Sequence, residues 1–196
     1  LGRYVEESPI SYQDGAAITT RFHLEDDLLT FEVAAYDRSR TLRIDPERVW
    51  GTYYGGSDEE WAYGLARDDD GNIYMGGATA SVNDIATPGA QDESFGGTYD
   101  ALLVKFTPAG DRVWGTYFGG DSSDAFGACA IRGNALYAAG STGSFGLGTL
   151  TAHQAQLGGG SDGLLVKFDL DGGVEWATYY GGSASDQGRS CAVDPS

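Results

Sequence analysis

The apolar and polar positions of this 196-residue chain follow the rhythm of β-strands, and no window of comparable length shows a 3.6-residue apolar period. Asp100 to Phe106 and Asp162 to Phe168 are short apolar runs of the kind that forms strands buried on both faces. Leu29-Thr30-Phe31-Glu32-Val33-Ala34-Ala35 alternates, as a half-buried strand does. Between such runs lie clusters of Asp, Asn and Gly, including Asp68-Asp69-Asp70-Gly71-Asn72 and Asp169-Leu170-Asp171-Gly172. They read as tight turns, because these residues tolerate positive φ. The pattern predicts strands over about 62–67, 73–79, 100–106 and 112–118, with a long loop from Ala80 to Tyr99. A second set of four runs from about Ala125 to Tyr180, with its long loop at Ser141 to Gly160.

The two sets are copies. Val49-Trp50-Gly51-Thr52-Tyr53-Tyr54-Gly55-Gly56 recurs as Val113 to Gly120 and again as Glu175 to Gly182, with the Trp residues 64 and 62 positions apart. Asp100-Ala101-Leu102-Leu103-Val104-Lys105-Phe106 returns 62 positions later at Asp162, and Gly71-Asn72-Ile73-Tyr74 returns from Gly133 to Tyr137. Three motifs that keep one period and one order define a structural repeat. Four short antiparallel strands per unit, with aromatic and glycine motifs at fixed positions, are the signature of a propeller blade.

The residue sizes agree with a radial stack. Gly64, Ala66, Gly127, Ala128, Ala130 and Ala192 fall in the strand expected nearest the axis, where blades crowd. Trp50, Tyr53, Trp114, Tyr117, Trp176 and Tyr179 fall in the outer strand, where the wedge between blades is wide.

These motifs resemble the bacterial SBBP repeat, named for a seven-bladed β-propeller. Trp50 to Gly56, Gly71 to Thr79, Thr87 to Ala90 and Gly96 to Phe106 carry the resemblance in the first unit. The second unit departs in its long loop, where Leu150-Thr151-Ala152-His153-Gln154 replaces Thr-Pro-Gly-Ala. The resemblance implies a propeller in a large secreted or cell-surface bacterial protein and carries no catalytic residues. Seven blades at this period would need roughly 430 residues. The expected fold is therefore all-β: a partial β-propeller with two complete four-stranded antiparallel blades, about 61–118 and 125–180, plus a flanking strand of a further blade at each end. Residues 48–196 form this part. Residues 1–47 lack the repeat and read as a short β-rich segment, the end of a larger domain that often precedes such repeats. There Ile18 to Leu24 pairs with the alternating strand through Glu25-Asp26-Asp27, Asp14-Gly15 is a second turn, and Thr41 to Pro46 leads into the repeats. The chain reads as a piece of a longer protein, with no targeting signal inside it. The rest of a propeller, or a partner chain, is expected to cover the open blade edges.

Composition narrows the function. Glycine, 31 residues, is about twice its average share, yet proline is scarce and no three-residue period exists, which excludes collagen. The 24 aromatic residues exclude a disordered low-complexity chain, and no apolar run reaches membrane-helix length. The net charge of −17 disfavours nucleic acid. Residues 1–48 hold 10 acidic and 6 basic side chains, and the remaining residues hold 19 and 6, so the propeller part is the more acidic.

Candidate chemistry is sparse. Asp68 to Asn72 has the oxygen ligands of a calcium loop, but the second copy has only Arg132-Gly133-Asn134, so a solvated turn is the preferred reading. Ser57-Asp58-Glu59-Glu60 and Asp121-Ser122-Ser123-Asp124 would line one end of the propeller, as an acidic rim or as plain surface. His23 and His153, the only histidines, lie far apart, which disfavours a Ser-His-Asp triad or a histidine zinc site. Cys129 and Cys191 occupy equivalent positions on successive blades, beyond disulfide reach, and are expected as free buried thiols. No catalytic, cofactor or metal residue is assigned. The preferred function is a non-enzymatic extracellular module for protein or glycan interaction, its long loops the recognition surface. The alternatives are a carbohydrate-active hydrolase or lyase using the central funnel, and a structural spacer in a surface or secretion assembly.

Overall fold

A computed structural model describes residues 9–25, 28–45 and 50–194, all strand, turn or irregular backbone without a helix. The chain divides into two compact units, up to Gly51 and from Thr52. In the first, β1 (Ile10–Gln13), β2 (Ala16–Glu25), β3 (Leu28–Val33) and β4 (Arg43–Asp45) form one sheet in the order β3-β2-β1-β4. Asp14 and Gly15 both take positive φ, 52° and 82°, and so close the β1–β2 hairpin with the twist that flanking strands require. The first half of β2 pairs with β1 and its second half with β3, where Phe22 faces Phe31 at 5.4 Å. Phe31 is still 50% exposed, so the alternation marks a strand whose apolar side is only partly covered. Asp26 and Asp27 of the expected turn, and residues 46–49 where the repeats begin, lie outside the described residues.

The second unit holds two blades. Blade 1 is β5 (Glu60–Arg67), β6 (Ile73–Thr79), β7 (Asp100–Phe106) and β8 (Arg112–Phe118); blade 2 is β9 (Asp124–Arg132), β10 (Ala135–Thr142), β11 (Asp162–Asp169) and β12 (Val174–Tyr180). Each is an antiparallel meander in sequence order. The apolar run of β7 is buried along almost its whole length, as expected for a strand flanked by neighbours and covered on both faces.

Blade 2 packs on blade 1 through contacts that follow from the repeat. Phe118 sits 5.5 Å from Phe126 and 5.8 Å from Phe168, in a cluster that also buries Tyr74, Leu103, Leu164 and Val166. The carbonyl of Leu170, in the last turn of blade 2, accepts from three blade 1 donors: Lys105 Nζ at 3.2 Å, Trp114 Nε1 at 3.2 Å and the Tyr74 hydroxyl at 3.4 Å. At the inner strands the backbones themselves touch. A Cβ on Gly64 would lie 2.7 Å from Ala128 Cα and 2.8 Å from Cys129 N, so glycine there sets the blade spacing.

Three expectations change. The flanking strands expected at the two ends are not formed as ladders: the described residues 50–56 lie in no strand, and residues 186–194 join blade 2 through single bonds such as Asp186 N to Ser161 O and Gly188 N to Gly140 O. Tyr53 is accordingly fully exposed, whereas its copies Tyr117 and Tyr179 are buried and donate to the carbonyls of Ser81 and Ser144. The long loops do not stand free. Thr87 N donates to Gly115 O and Tyr117 N to Asp92 O, and in blade 2 Thr149 N donates to Ala177 O and Tyr179 N to Gln154 O. Each loop thus covers the open edge of its outer strand. Cys129 and Cys191 are free thiols, but both are half-buried, not buried: the Cys129 sulfur lies beside Gly76 of blade 1, and the Cys191 sulfur is 3.8 Å from the Tyr137 carbonyl.

Candidate functional site at the blade seam

The polar motifs at the end of the blades where β5 and β9 begin turn out to be structural. Gly56 N donates to Glu60, Gly120 N to Asp124 and Gly182 N to Asp186, each four residues on. Thr79 donates to Glu60, and Thr142 and Ser144 donate to Asp124. The last acid of each acidic loop is therefore a clasp between the Gly-Gly turn and the blade that follows. A second buried acid, Asp100, accepts from Gly96 N at 2.8 Å and Gly97 N at 3.1 Å. Asp100 and Asp124 flank Gly119 from two sides, and Asp162 and Asp186 flank Gly181 in the same way. Burial, with a further push from Asp124 and Asp92, raises the Asp100 carboxyl to about 6 against the pull of the two glycine N–H groups.

The calcium-like turn is internally satisfied. Asp68 is buried and accepts from Asn72 N, Asn72 Nδ2 and the Tyr74 hydroxyl. Burial pushes its carboxyl up, but these hydrogen bonds outweigh burial and hold it below its ordinary value. The Asp169 carboxylate likewise serves its turn: it accepts from Asp171 N and Gly173 N and closes the β11–β12 turn. Among the described residues no group of three or more His, Cys, Asp or Glu side chains is placed to hold a metal ion. His153 stacks on Tyr180 at 5.9 Å, and His23 lies on β2 in the other unit.

What sequence reasoning missed is a groove of about 340 Å³ at the seam of the two blades. Trp61 and Tyr63 of β5 and Tyr99, just before β7, line it with Ser123, Asp124 and Ser141 from blade 2. Its walls are fixed by backbone. Tyr99 bridges Ser123, Asp124 N donates to Tyr99 O at 2.8 Å, and Gly143 N donates to Ser123 O at 2.9 Å. Tyr63 is the extra residue of a bulge between Ala62 and Gly64, and the bulge turns its ring outward, 57% exposed. The Trp61 and Tyr99 rings meet at 5.0 Å and 73°, forming a corner. In the second repeat the equivalent positions hold Ala125, Gly127 and Ser161. The repeat itself thus does not require these three aromatics, and that departure is the signal the sequence carried.

The meandering four-stranded blades, stacked face to face with a fixed period, form a partial β-propeller. Residues 49–86 match the family model described as Beta-propeller repeat (SBBP), and residues 1–47 match one described as a domain of unknown function (DUF7948). The chain carries an SBBP β-propeller repeat, as its motifs indicated. No curated protein matches the chain.

Proposed function

We propose that this chain is a non-enzymatic, extracellular or cell-surface module of a bacterial protein that recognises a protein or glycan partner. The observation that supports this reading is the seam groove: three aromatic side chains that the repeat does not call for, held on a hydrogen-bonded frame and open to solvent. Rigid aromatic anchors lose little conformational entropy on binding and dominate recognition surfaces. The hydrolase reading needs a pair of carboxylates facing open space. Asp100 and Asp124 are paired, but both are fully buried, with oxygens occupied by Gly96, Gly97, Gly120 and Ser144. The far face of blade 2 supports a second kind of partner. There Tyr137, Lys167 and Trp176 repeat the donors that hold the Leu170 carbonyl, and Tyr180 is 73% exposed. A further blade, in the same protein or in a partner chain, fits that face.

The test is to screen the full-length protein on glycan and protein arrays while assaying polysaccharides for new reducing ends. Saturable binding that Trp61→Ala abolishes, without turnover, is the expected result. Turnover that vanishes with Asp124→Asn would overturn the proposal.

A further inference from the structure

We propose that the seam groove takes an arginine side chain of a protein partner; this deepens the reading of the preceding section and rests on it. The corner made by Trp61 and Tyr99, with Tyr63 beside it, presents ring faces in two directions. A single flat platform would suit the apolar face of a sugar, whereas two faces near a right angle suit a cation, which each ring quadrupole attracts. The polar lining points the same way. Asp124 has both oxygens engaged by Gly120, Thr142 and Ser144 and is 1% exposed, so it offers a ligand negative charge but no free acceptor for sugar hydroxyls. Ser123 and Ser141 also line the groove. A planar guanidinium fits this set, because it stacks on an aromatic face and donates in its own plane. Lysine is the weaker match, since its compact ammonium holds its water more tightly.

The fold uses the same chemistry inside itself. Lys105 Nζ lies 5.2 Å from the Tyr74 ring centre, and the Arg112 guanidinium lies 5.9 Å from that of Tyr54. Charge complementarity supplies the second argument. The chain carries 29 acidic against 12 basic residues, so its field gathers cationic partners and repels anionic ones.

The experiment follows the Trp61 indole N–H resonance, assigned with Trp61→Phe, in the full chain. Three probes are titrated: a short Gly-Ser peptide with one central arginine, the same peptide with citrulline, and a neutral oligosaccharide. Citrulline keeps the planar shape of arginine, its Nε–H and one NH2, but a carbonyl oxygen replaces the second NH2 and the charge is gone. The arginine peptide is expected to shift the resonance saturably, about fivefold more tightly than the citrulline peptide, and less tightly as salt rises. Tyr63→Ala is expected to weaken the arginine peptide several-fold while the remaining spectrum stays folded, since that ring is mostly exposed. Equal binding of the citrulline peptide, a shift with the oligosaccharide alone, or no shift with any probe overturns the assignment. If array binding still depends on Trp61 in those cases, the broader interaction reading stands and only the arginine assignment falls.

Discussion

Phe118 and Tyr180 hold the same position in two copies of one strand, and their surroundings differ completely. Phe118 ends the outer strand of blade 1, is 8% exposed, and wedges between Phe126 and Phe168 of the next blade. Tyr180 ends the outer strand of blade 2, is 73% exposed, and meets only the His153 ring as an aromatic neighbour among the described contacts. Tyr54, the copy before them, packs edge-on to Phe106 at 5.8 Å, the separation that Phe118 keeps from Phe168. Phe118 thus locks blade 1 onto blade 2. The same side chain type contributes to stability at one seam and to an open surface at the other. What differs is the neighbour.

The largest expected effect comes from that pair. Phe118→Ala should cost about 3–4 kcal/mol, because it empties a closed aromatic cluster, while Tyr180→Ala should cost less than about 0.5 kcal/mol. Urea unfolding of both variants measures the difference; comparable losses would mean that the two seams are equally covered in solution. Gly64→Ala comes next, at about 1–3 kcal/mol, since its new Cβ would press on the Ala128 and Cys129 backbone. The equivalent residue in blade 2, Ala128, already carries a Cβ, and Ala128→Gly should cost about 1 kcal/mol at most.

Two buried acids give pH dependences of opposite sign. Asp100 has a folded-state value of about 6 against an ordinary 3.8, so the folded chain keeps a proton that the unfolded chain has released. Its contribution is complete below pH 3.8 and is lost as pH rises through about 6. With screening the expected size is about 1–2 kcal/mol. Asp68 is held below its ordinary value, so its contribution is present above pH 3.8 and is lost as pH falls through its folded-state value. Stability measured by denaturant from pH 3 to 7 should lose the first slope in Asp100→Asn and the second in Asp68→Asn.

The smallest effect is a labelling rate. Burial pushes the Cys129 thiol up to about 12 and raises Cys191 as well. Both should alkylate slowly at pH 8, Cys191 the faster because it lies on the uncovered face. A Cys191 rate as slow as that of Cys129 would show that something occupies the far side of blade 2.

Much of the fold was legible because it is locally encoded. The runs Ile73 to Thr79, Asp100 to Phe106 and Arg112 to Phe118 are strands with those bounds, and the Asp and Gly clusters between them are turns. The seam groove was not legible in the same way. Trp61, Tyr63 and Tyr99 lie outside the repeated motifs, and only the bulge at Tyr63 and the Tyr99–Ser123 bridge place them on one open wall. The acidic loops read as an acidic rim or as plain surface, and Glu60 and Asp124 proved to be clasps, because a carboxylate's partners lie on other strands.

The sequence alone determined the period, the four-stranded unit, the turn positions and the small inner residues that let blades approach, since each depends on backbone geometry within a few residues or on copies of it. Only the tertiary structure decided which copy of a residue is buried, which acid is paired, and which aromatics face solvent. Those outcomes depend on whether a second blade stands within contact distance, and residues some 60 positions apart in the chain supply it.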